Sequence, residues 1–280
     1  MSAIGLVTKL QGGRYTVVLD SGETVFCPAR GLFRLQGVSP MAGDRVEVGE
    51  GRIEQVLPRK NEFVRPAVAN VDRLVLMFAV VSPSPDVGLL DRMLLYAHTQ
   101  DCMVNIVFNK CDLPGTTETV DKLQKAYAAF QPLFISLLDK HDFQLPASDL
   151  AVVCGPSGVG KSTLINAITD AEMETGGLAA KTDRGKHTTR HVELLPIKQG
   201  IRQGYIADTP GFSLLDTPCI PPEDLAGCYP EFAPLLGCCR FDNCLHDAEP
   251  GCAVKNGDVP PGRYRRYLEI LKEIRENEQY

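Results

Sequence analysis

The sequence has no long apolar run. The longest, residues 74–81, is far shorter than the ~20 residues that a membrane-spanning helix needs. The N-terminal segment MSAIGLVTKL also lacks the extended apolar core of a secretory signal peptide. These two absences predict a cytosolic protein with no membrane partner.

An excess of positive charge is also missing. The chain carries 29 Lys and Arg against 35 Asp and Glu, a formal net charge of −6, which does not by itself indicate a nucleic-acid partner. Of the stretches 1–66, 67–218 and 219–280, only the first has a positive balance, with nine basic against seven acidic side chains. Any surface that binds RNA must therefore be a local basic patch.

Internal repeats and low-complexity tracts are absent as well. Apolar residues make up 44% and charged residues 23% of the 280 residues, which is typical of globular domains and argues against disorder, collagen and coiled coil. This length favours about two domains, or three if some are small modules. No apolar seam demands a dimer, so we expect a monomer.

Three kinds of hydrophobic pattern divide the chain into predicted domains. Residues 1–67 show short apolar alternations between Gly-rich turns, which is typical of an OB-fold β-barrel that either binds oligonucleotides or serves only for packing. Residues 68–217 alternate apolar runs with helical periods, which predicts an α/β domain with a doubly wound, mostly parallel sheet. Residues 218–280 hold a cysteine cluster and one long helix. The predicted fold class is multidomain α/β.

One segment matches the phosphate-loop pattern G-x-x-x-x-G-K-[ST] between a predicted strand at 150–154 and a predicted helix from 161. In such a loop, backbone N–H groups and the helix N-terminus surround the β-phosphate. We expect Lys161 to reach the β/γ oxygens and the Ser162 hydroxyl, with Thr163 beside it, to bind Mg²⁺. The predicted phosphate-binding residues are Gly155, Pro156, Ser157, Gly158, Val159, Gly160, Lys161, Ser162 and Thr163.

A second phosphate-site motif, Asp208-Thr209-Pro210-Gly211, follows the predicted strand at 205–208. Asp208 is a candidate Mg²⁺ ligand, directly or through water, and the N–H of Gly211 is a candidate donor to a γ-phosphate. The tetrapeptide alone is a common turn. Its place after a phosphate loop favours the functional interpretation.

A guanine-reading motif, Asn109-Lys110-Cys111-Asp112, follows the predicted strand at 104–108. Ligands of α/β folds bind at the carboxyl ends of the strands. A carboxylate at Asp112 would accept the N1–H and N2–H₂ groups of guanine, which adenine does not offer, and Asn109 would meet the N7/O6 edge. Ser136, at the end of the next strand, is a weaker candidate for contacting O6.

The motif order is permuted, because the guanine motif precedes the phosphate loop whereas common GTPases have the reverse order. A parallel sheet keeps the same site if the old termini are joined and the chain is cut elsewhere. The segment after Gly211 then runs directly into the C-terminal module. We therefore hypothesise that the nucleotide state is relayed to that module.

Six of the ten cysteines fall within residues 219–252, and in a reducing compartment such a cluster favours metal binding over disulfides. Three thiolates and one imidazole, from Cys239, Cys244, His246 and Cys252, would make a complete tetrahedral set with no position open for water. This is typical of structural zinc. Cys238 competes with Cys239 for the first position.

The permuted order, the OB-like N-terminus, the segment Gly185-Lys186-His187-Thr188-Thr189-Arg190 and the cysteine/histidine tail together resemble the ribosome small-subunit-dependent GTPase A family (RsgA, or YjeQ type) over nearly the whole chain. The resemblance implies an OB-fold, a circularly permuted P-loop GTPase domain and a zinc-binding helical module. It implies hydrolysis of GTP to GDP and phosphate, with Mg²⁺ and one structural Zn²⁺. It also implies a role in late maturation of the small ribosomal subunit, with hydrolysis stimulated by that subunit and binding to its ribosomal RNA.

The resemblance further implies roles for single residues. Cys239 rather than Cys238 becomes the first zinc ligand, and either Thr188 or Thr189 becomes the switch threonine that senses Mg²⁺ and the γ-phosphate. Phe212 stands where Ras-like GTPases have a water-orienting Gln. His187 is one candidate to orient the water, and a group supplied by a partner is the other.

Two functional alternatives remain open from the sequence. In one, the GTP or GDP state of a nucleotide-gated RNA-binding checkpoint protein is the output and hydrolysis is incidental. In the other, the phosphate loop serves an ATP-dependent enzyme, which the guanine motif disfavours. Three arginines, Arg263, Arg265 and Arg266, open the last helix and either contact phosphates or form a solvated face.

Overall fold

The computed structural model describes residues 2–31, 33, 37, 39–64, 66–138, 148–169, 192–197, 204–208 and 218–277. The chain forms two compact units. The first contains Met1–Met77 and Ser136–Ser213, and the second contains Phe78–Ile135 and Leu214–Tyr280. The domain boundaries after residues 67 and 217 stay predictions.

The N-terminal strands form an antiparallel sheet in the order β3-β2-β1-β4-β5. The strands are β1 (Ala3–Gln11), β2 (Arg14–Leu19), β3 (Thr24–Cys27), β4 (Arg45–Gly49) and β5 (Arg52–Val56). Side chains alternate between the two faces of a strand, and the inward set, which includes Val7, Tyr15, Val17, Val46 and Ile53, forms one buried core. The predicted N-terminal OB-fold is confirmed.

A short hairpin of β6 (Glu62–Val64) and β7 (Ala67–Ala69) follows this sheet. Phe63 and Val68 are paired across it and fully buried. The Asn61 side chain joins the two ends of this hairpin, because its amide donates to the Val71 carbonyl and its oxygen accepts from the Val71 N–H. The sequence patterns did not predict this hairpin.

A six-stranded sheet follows in the order β10-β9-β8-β11-β13-β12. Its elements are β8 (Arg73–Ala79), α1 (Val87–Thr99), β9 (Met103–Asn109), α2 (Thr117–Ala126), β10 (Leu133–Phe134), β11 (Leu150–Cys154), α3 (Lys161–Ile168), β12 (Leu194–Pro196) and β13 (Tyr205–Asp208). Every residue of β8 and β11 is buried, and all except Arg73 at the start of β8 are apolar, as is typical of strands that are covered on both faces. The pairs β10–β9, β8–β11 and β11–β13 are parallel, whereas β12 runs antiparallel to β13. The predicted mostly parallel α/β sheet is confirmed.

The C-terminal segment packs around aromatic side chains. It contains 3₁₀ turns at Leu225–Cys228 and Pro230–Phe232, then α4 (Ala253–Asn256) and α5 (Pro261–Asn277). The residues at i, i+3, i+4 and i+7 of α5, namely Tyr267, Ile270, Leu271 and Ile274, are buried. In the described part of the chain, no helix combines the length and apolarity needed to cross a membrane.

Candidate nucleotide and metal sites

The phosphate-loop segment lies between β11 and α3, as the motif predicts. Gly155 has φ +142°, and a Cβ there would lie 1.9 Å from the carbonyl oxygen of Met77 on β8. No side chain fits at that distance, so only glycine allows the backbone that follows β11 to pass this close to β8. Gly160, with φ +106°, is the N-cap of α3. The N-terminus of α3 therefore opens directly from the loop, where helix N–H groups favour an anion.

The side chains predicted to bind phosphate and Mg²⁺ lie at this end of α3. Lys161 Nζ donates to the carbonyl oxygens of Gly155 (2.9 Å) and Pro156 (2.7 Å), so its side chain lies over the loop. Ser162 and Thr163 are half-buried in the first turn of the helix. Asp208 ends β13, and its backbone pairs with Val153 on β11. The phosphate loop and Asp208 thus lie at neighbouring strand ends within the first unit.

The guanine motif follows β9 in the second unit. Asn109 is 5% exposed, and its carbonyl accepts from the Val80 N–H at 2.9 Å. Lys110 has φ +66°, and its Nζ donates to the Ser82 carbonyl. Asp112 is exposed. The backbone thus turns sharply at Lys110 and presents the Asp112 carboxylate to solvent.

Hydrogen bonds to neighbouring backbone hold this turn. The Cys111 N–H donates to the Ile135 carbonyl at 3.2 Å, and the Cys111 thiol donates to the Phe108 carbonyl at 3.4 Å. The Thr116 hydroxyl donates to the Cys111 carbonyl at 3.1 Å. Burial raises the pKa of the Cys111 thiol, so the group is a neutral donor at pH 7. Cys111 therefore supports the loop through its backbone and a neutral thiol.

Ser136 follows β10 and is 9% exposed. Its hydroxyl oxygen is buried and has no hydrogen-bond partner among the described residues. An unsatisfied buried hydroxyl costs free energy unless something else pairs with it. Its predicted contact with guanine O6 stays a prediction.

Several predicted residues lie outside the described part of the chain. They are Thr209, Pro210, Gly211 and Phe212 and the whole segment from Gly185 to Arg190, with His187, Thr188 and Thr189. For Asp208 the backbone is described and the side chain is not. Their predicted roles, and the relay from the segment after Gly211, stay predictions.

Four candidate metal ligands converge in the C-terminal segment. The ligand atoms of Cys239, Cys244, His246 and Cys252 all lie within 4.8 Å of one another. His246 Nδ1 is 3.5 Å from the Sγ atoms of both Cys239 and Cys252. A tetrahedral ion with Zn–S of about 2.3 Å and Zn–N of about 2.0 Å places sulfur and nitrogen about 3.5 Å apart. The donor set and its spacing therefore fit zinc, and Cys238, which is exposed, is not part of the cluster.

The surroundings of the cluster favour the metal-binding forms of His246 and Cys239, whereas burial raises the pKa of the Cys244 thiol to about 12. Burial lowers the pKa of His246, so its ring is neutral at pH 7. Burial alone would raise the pKa of Cys239, but hydrogen bonds, including one from the Ala253 N–H at 3.3 Å, lower it overall. A neutral imidazole and a thiolate are the forms that bind a metal ion.

Three supporting residues of the cluster were not predicted from the sequence. The Glu249 carboxylate accepts from the backbone N–H groups of Leu245 and Asp247, both at 2.9 Å. On α5, the hydroxyls of Tyr264 and Tyr267 donate to the carbonyls of His246 (2.7 Å) and Leu245 (2.8 Å). The only sequence signal was the use of Tyr rather than Phe on an apolar helix face, since a buried tyrosine hydroxyl usually has a partner.

Two of the three arginines at the start of α5 differ from both predictions. Arg263 is 1% exposed and is paired with Asp91 on α1, so it is neither solvated nor available to a phosphate. Arg266 also pairs with Asp91. Only Arg265, with 74% of its side chain exposed, forms the expected solvated face. The sequence could not show this, because Asp91 is 172 positions from Arg263.

Comparisons with known proteins agree with this architecture. The RsgA N-terminal domain model matches residues 4–53, and the RsgA GTPase model matches residues 56–218. The small ribosomal subunit biogenesis GTPase RsgA of Ruminiclostridium cellulolyticum is 40% identical over 99% of this chain and 95% of its own. The corresponding protein of Carboxydothermus hydrogenoformans is 41% identical over 98% and 99%.

Solved structures show the same fold. The crystal structure of YjeQ from Thermotoga maritima has a TM-score of 0.78 and 33% identity, covering 98% of this chain and 99% of that one. YloQ, described as a circularly permuted GTPase, has a TM-score of 0.75 and 31% identity over 99% and 96%. These likenesses confirm the permuted order of the α/β domain. Since the GTPase model covers more than half of the chain and the relatives align along nearly all of it, the chain belongs to the RsgA GTPase family.

Proposed function

We propose that this chain hydrolyses GTP during biogenesis of the small ribosomal subunit, the process for which its relatives are named. The observation that carries the proposal is the phosphate loop, which leaves β11 against the Met77 carbonyl and opens into α3. GTP hydrolysis is the activity of the family. That activity favours an enzyme over a checkpoint protein in which hydrolysis is incidental.

The phosphate groups would be held mainly by backbone. The backbone N–H groups of Gly155 and of residues 157–160, together with the N-terminus of α3, favour the β-phosphate, whereas Pro156 has no N–H to offer. Lys161 would leave its two carbonyl contacts for the β/γ oxygens. Ser162 and Asp208 would hold Mg²⁺, and Thr163 is next to Ser162 in the chain. A bound Mg²⁺ supplies positive charge to the β- and γ-phosphate oxygens.

Base selection would rest on the guanine motif. Asp112 accepts the N1–H and N2–H₂ groups, and Asn109 contacts the N7/O6 edge. Lys110 and Cys111 shape the turn through the contacts described above. Ser136 is the proposed partner of O6, and its unpaired hydroxyl supports that role.

In the reaction, the oxygen of a water molecule forms a bond to the γ-phosphorus and the bond from that phosphorus to the β–γ bridging oxygen breaks. GDP, phosphate and a proton are released. His187 is the proposed water-orienting residue, Thr188 or Thr189 and the Gly211 N–H would contact the γ-phosphate, and Phe212 replaces the usual Gln. Because that Gln is missing, the small subunit would complete the site.

The flanking parts would serve binding and stability. The OB-fold is the proposed contact with ribosomal RNA, since residues 1–66 have the only positive charge balance. One structural Zn²⁺ would be bound by Cys239, Cys244, His246 and Cys252. The proposed working form is a cytoplasmic monomer that binds the small subunit.

The first experiment measures phosphate release from GTP and from ATP, each with and without isolated small ribosomal subunits. We expect slow, GTP-selective turnover that rises on the order of 10²-fold or more with subunits, since catalytic charge supplied by a partner is worth about 10³ to 10⁵ in other GTPases. Lys161→Ala is the control and should abolish release. Equal turnover of GTP and ATP would contradict the guanine assignment, and no response to subunits would contradict the ribosomal one.

A further inference from the structure

A buried ion cluster joins helix α5 to helix α1 within the second unit. Asp91 is fully buried, and both of its carboxylate oxygens are used: Arg263 Nη1 donates to Oδ1 at 2.5 Å, and Arg266 Nε donates to Oδ2. Arg263 Nε also donates to Glu231 Oε1 at 2.6 Å. Two positive and two negative charges thus balance. Removing one partner would leave a buried charge unpaired, which is strongly destabilising.

Tyr127 belongs to the same cluster. Its hydroxyl donates to Asp91 Oδ1 at 2.7 Å, and the Arg263 guanidinium lies over its ring, 5.2 Å from the centroid. The Tyr127 side chain is fully buried. Its ring is therefore fixed from two sides, by a hydrogen bond to α1 and by a cation from α5.

The Tyr127 ring contacts the residue that directly precedes the guanine motif. It packs against Phe108 with 6.3 Å between ring centroids, and Phe108 stacks on Phe134 at 5.2 Å. Phe108 is the residue directly before Asn109. Its carbonyl accepts from the Ile135 N–H at 2.8 Å and from the Cys111 thiol. The position of the Phe108 ring and that of the loop backbone are thus linked.

We propose that Arg263 is a positioning residue for the guanine-binding loop, acting through Tyr127 and Phe108. The inference rests on the proposed role of Asp112 in base selection. The Arg263 guanidinium bridges Asp91 and Glu231 and at the same time lies over the Tyr127 ring. A lysine would keep the charge but lose this planar, two-sided contact. Helix α5 would then position the guanine-binding loop after β9 without contributing a residue to that loop.

The test compares the affinities of GDP and inosine diphosphate, which lacks the 2-amino group, for the wild type and for Arg263→Lys. A shifted loop weakens the contact from that amino group to Asp112, so GDP should lose more affinity than inosine diphosphate. We expect the GDP preference to fall about threefold, since small misplacements of a binding group have large effects. Arg265→Lys, on the exposed face of the same helix, is the matched control and should keep the wild-type preference.

A purely structural role gives a different result, because a smaller folded fraction lowers both apparent affinities equally and leaves their ratio unchanged. That outcome would overturn the proposal. If Arg263→Lys does not fold, Tyr127→Phe decides: it keeps the ring and removes only the hydroxyl that pairs with Asp91, and should lower the ratio in the same direction.

Asp112→Asn separates the two proposals. It replaces a carboxylate acceptor with an amide that can donate to the 2-oxo group of xanthine, so affinity should shift from GDP to xanthosine diphosphate. If this switch occurs and the ratio in Arg263→Lys is unchanged, only the positioning role is wrong. If the switch fails, the guanine assignment falls and the positioning role falls with it.

Discussion

Gly155 shows how strictly a single residue can be determined by the surrounding backbone. Its hypothetical Cβ would lie 1.9 Å from the carbonyl oxygen of Met77, which belongs to a fully buried strand and cannot move aside. At Gly12, by contrast, φ is also positive, at +59°, but nothing lies within 4 Å. The two positions separate steric exclusion from the cost of a positive φ.

We therefore expect Gly155→Ala to displace the phosphate loop and to weaken GDP binding by about tenfold or more, because the displaced donors no longer match the phosphate. Gly12→Ala should cost only about 1 kcal/mol of stability, since its strain is local. Titration with a fluorescent GDP analogue and thermal unfolding measure the two effects. Normal GDP affinity in Gly155→Ala would contradict the steric argument.

The sequence reveals some of these single residues and not others. The residues of the phosphate-loop pattern, such as Gly155, Lys161 and Ser162, are close together in the chain, so spacing alone encodes their arrangement. Asp91 and Arg263 carry no such signal. Their pairing depends on the packing of α1 against α5. Since charged side chains are rarely buried, the sequence alone favours placing both residues on the surface.

Helix α5 contacts two separate parts of the second unit. Tyr264 and Tyr267 hold the backbone of the cysteine/histidine loop, and Arg263 and Arg266 hold α1. Hydrophobic periodicity predicted the helix and its apolar face. It could not predict that the polar tips of those residues carry specific hydrogen bonds, because periodicity reports burial and not partners.

The cysteine cluster gives the prediction at this scale. Cys239→Ser should lose the metal and destabilise the segment around it, because zinc-binding free energy contributes directly to the folding of small modules. Cys238→Ser is the matched control, since the Cys238 thiol neighbours Cys239 in the chain but is exposed and lies outside the cluster. Elemental analysis should give about one zinc per chain in the wild type and in Cys238→Ser. A wild type with far less than one zinc after a chelator-free preparation would refute the site.

At the scale of the whole molecule, the two compact units have different interiors. The described core of the first is rich in aliphatic side chains, such as those of β11. The second contains three tyrosines that are almost completely buried, Tyr127, Tyr229 and Tyr267, and burial raises the pKa of each. Burial also raises the pKa of Tyr264 to about 12. The stability of the second unit should therefore fall at alkaline pH.

This interior predicts how stability depends on pH. The folded-state pKa values lie above the unfolded value of about 10, so the tyrosines stabilise the fold fully below pH 10 and lose that contribution as pH rises above it. Each of the three buried tyrosines should lower the unfolding free energy by up to about 1.4 kcal/mol per pH unit in that range. Denaturant unfolding at pH 9 and pH 11 measures this fall in the unfolding free energy, and tyrosinate absorbance reports when the tyrosines ionise. Equal stability at both values would show that these rings are accessible.

The second unit is assembled from two distant pieces of chain, Phe78–Ile135 and Leu214–Tyr280. Synthesis proceeds from the N-terminus, so Asp91 is made 172 positions before Arg263. Until α5 has been released from the ribosomal exit tunnel, the Asp91 carboxylate has neither of its arginine partners and must stay hydrated. The guanine-motif half of the GTPase fold therefore cannot reach its final packing before α5 has left the tunnel, and a chain that lacks α5 is left with an unfinished interior.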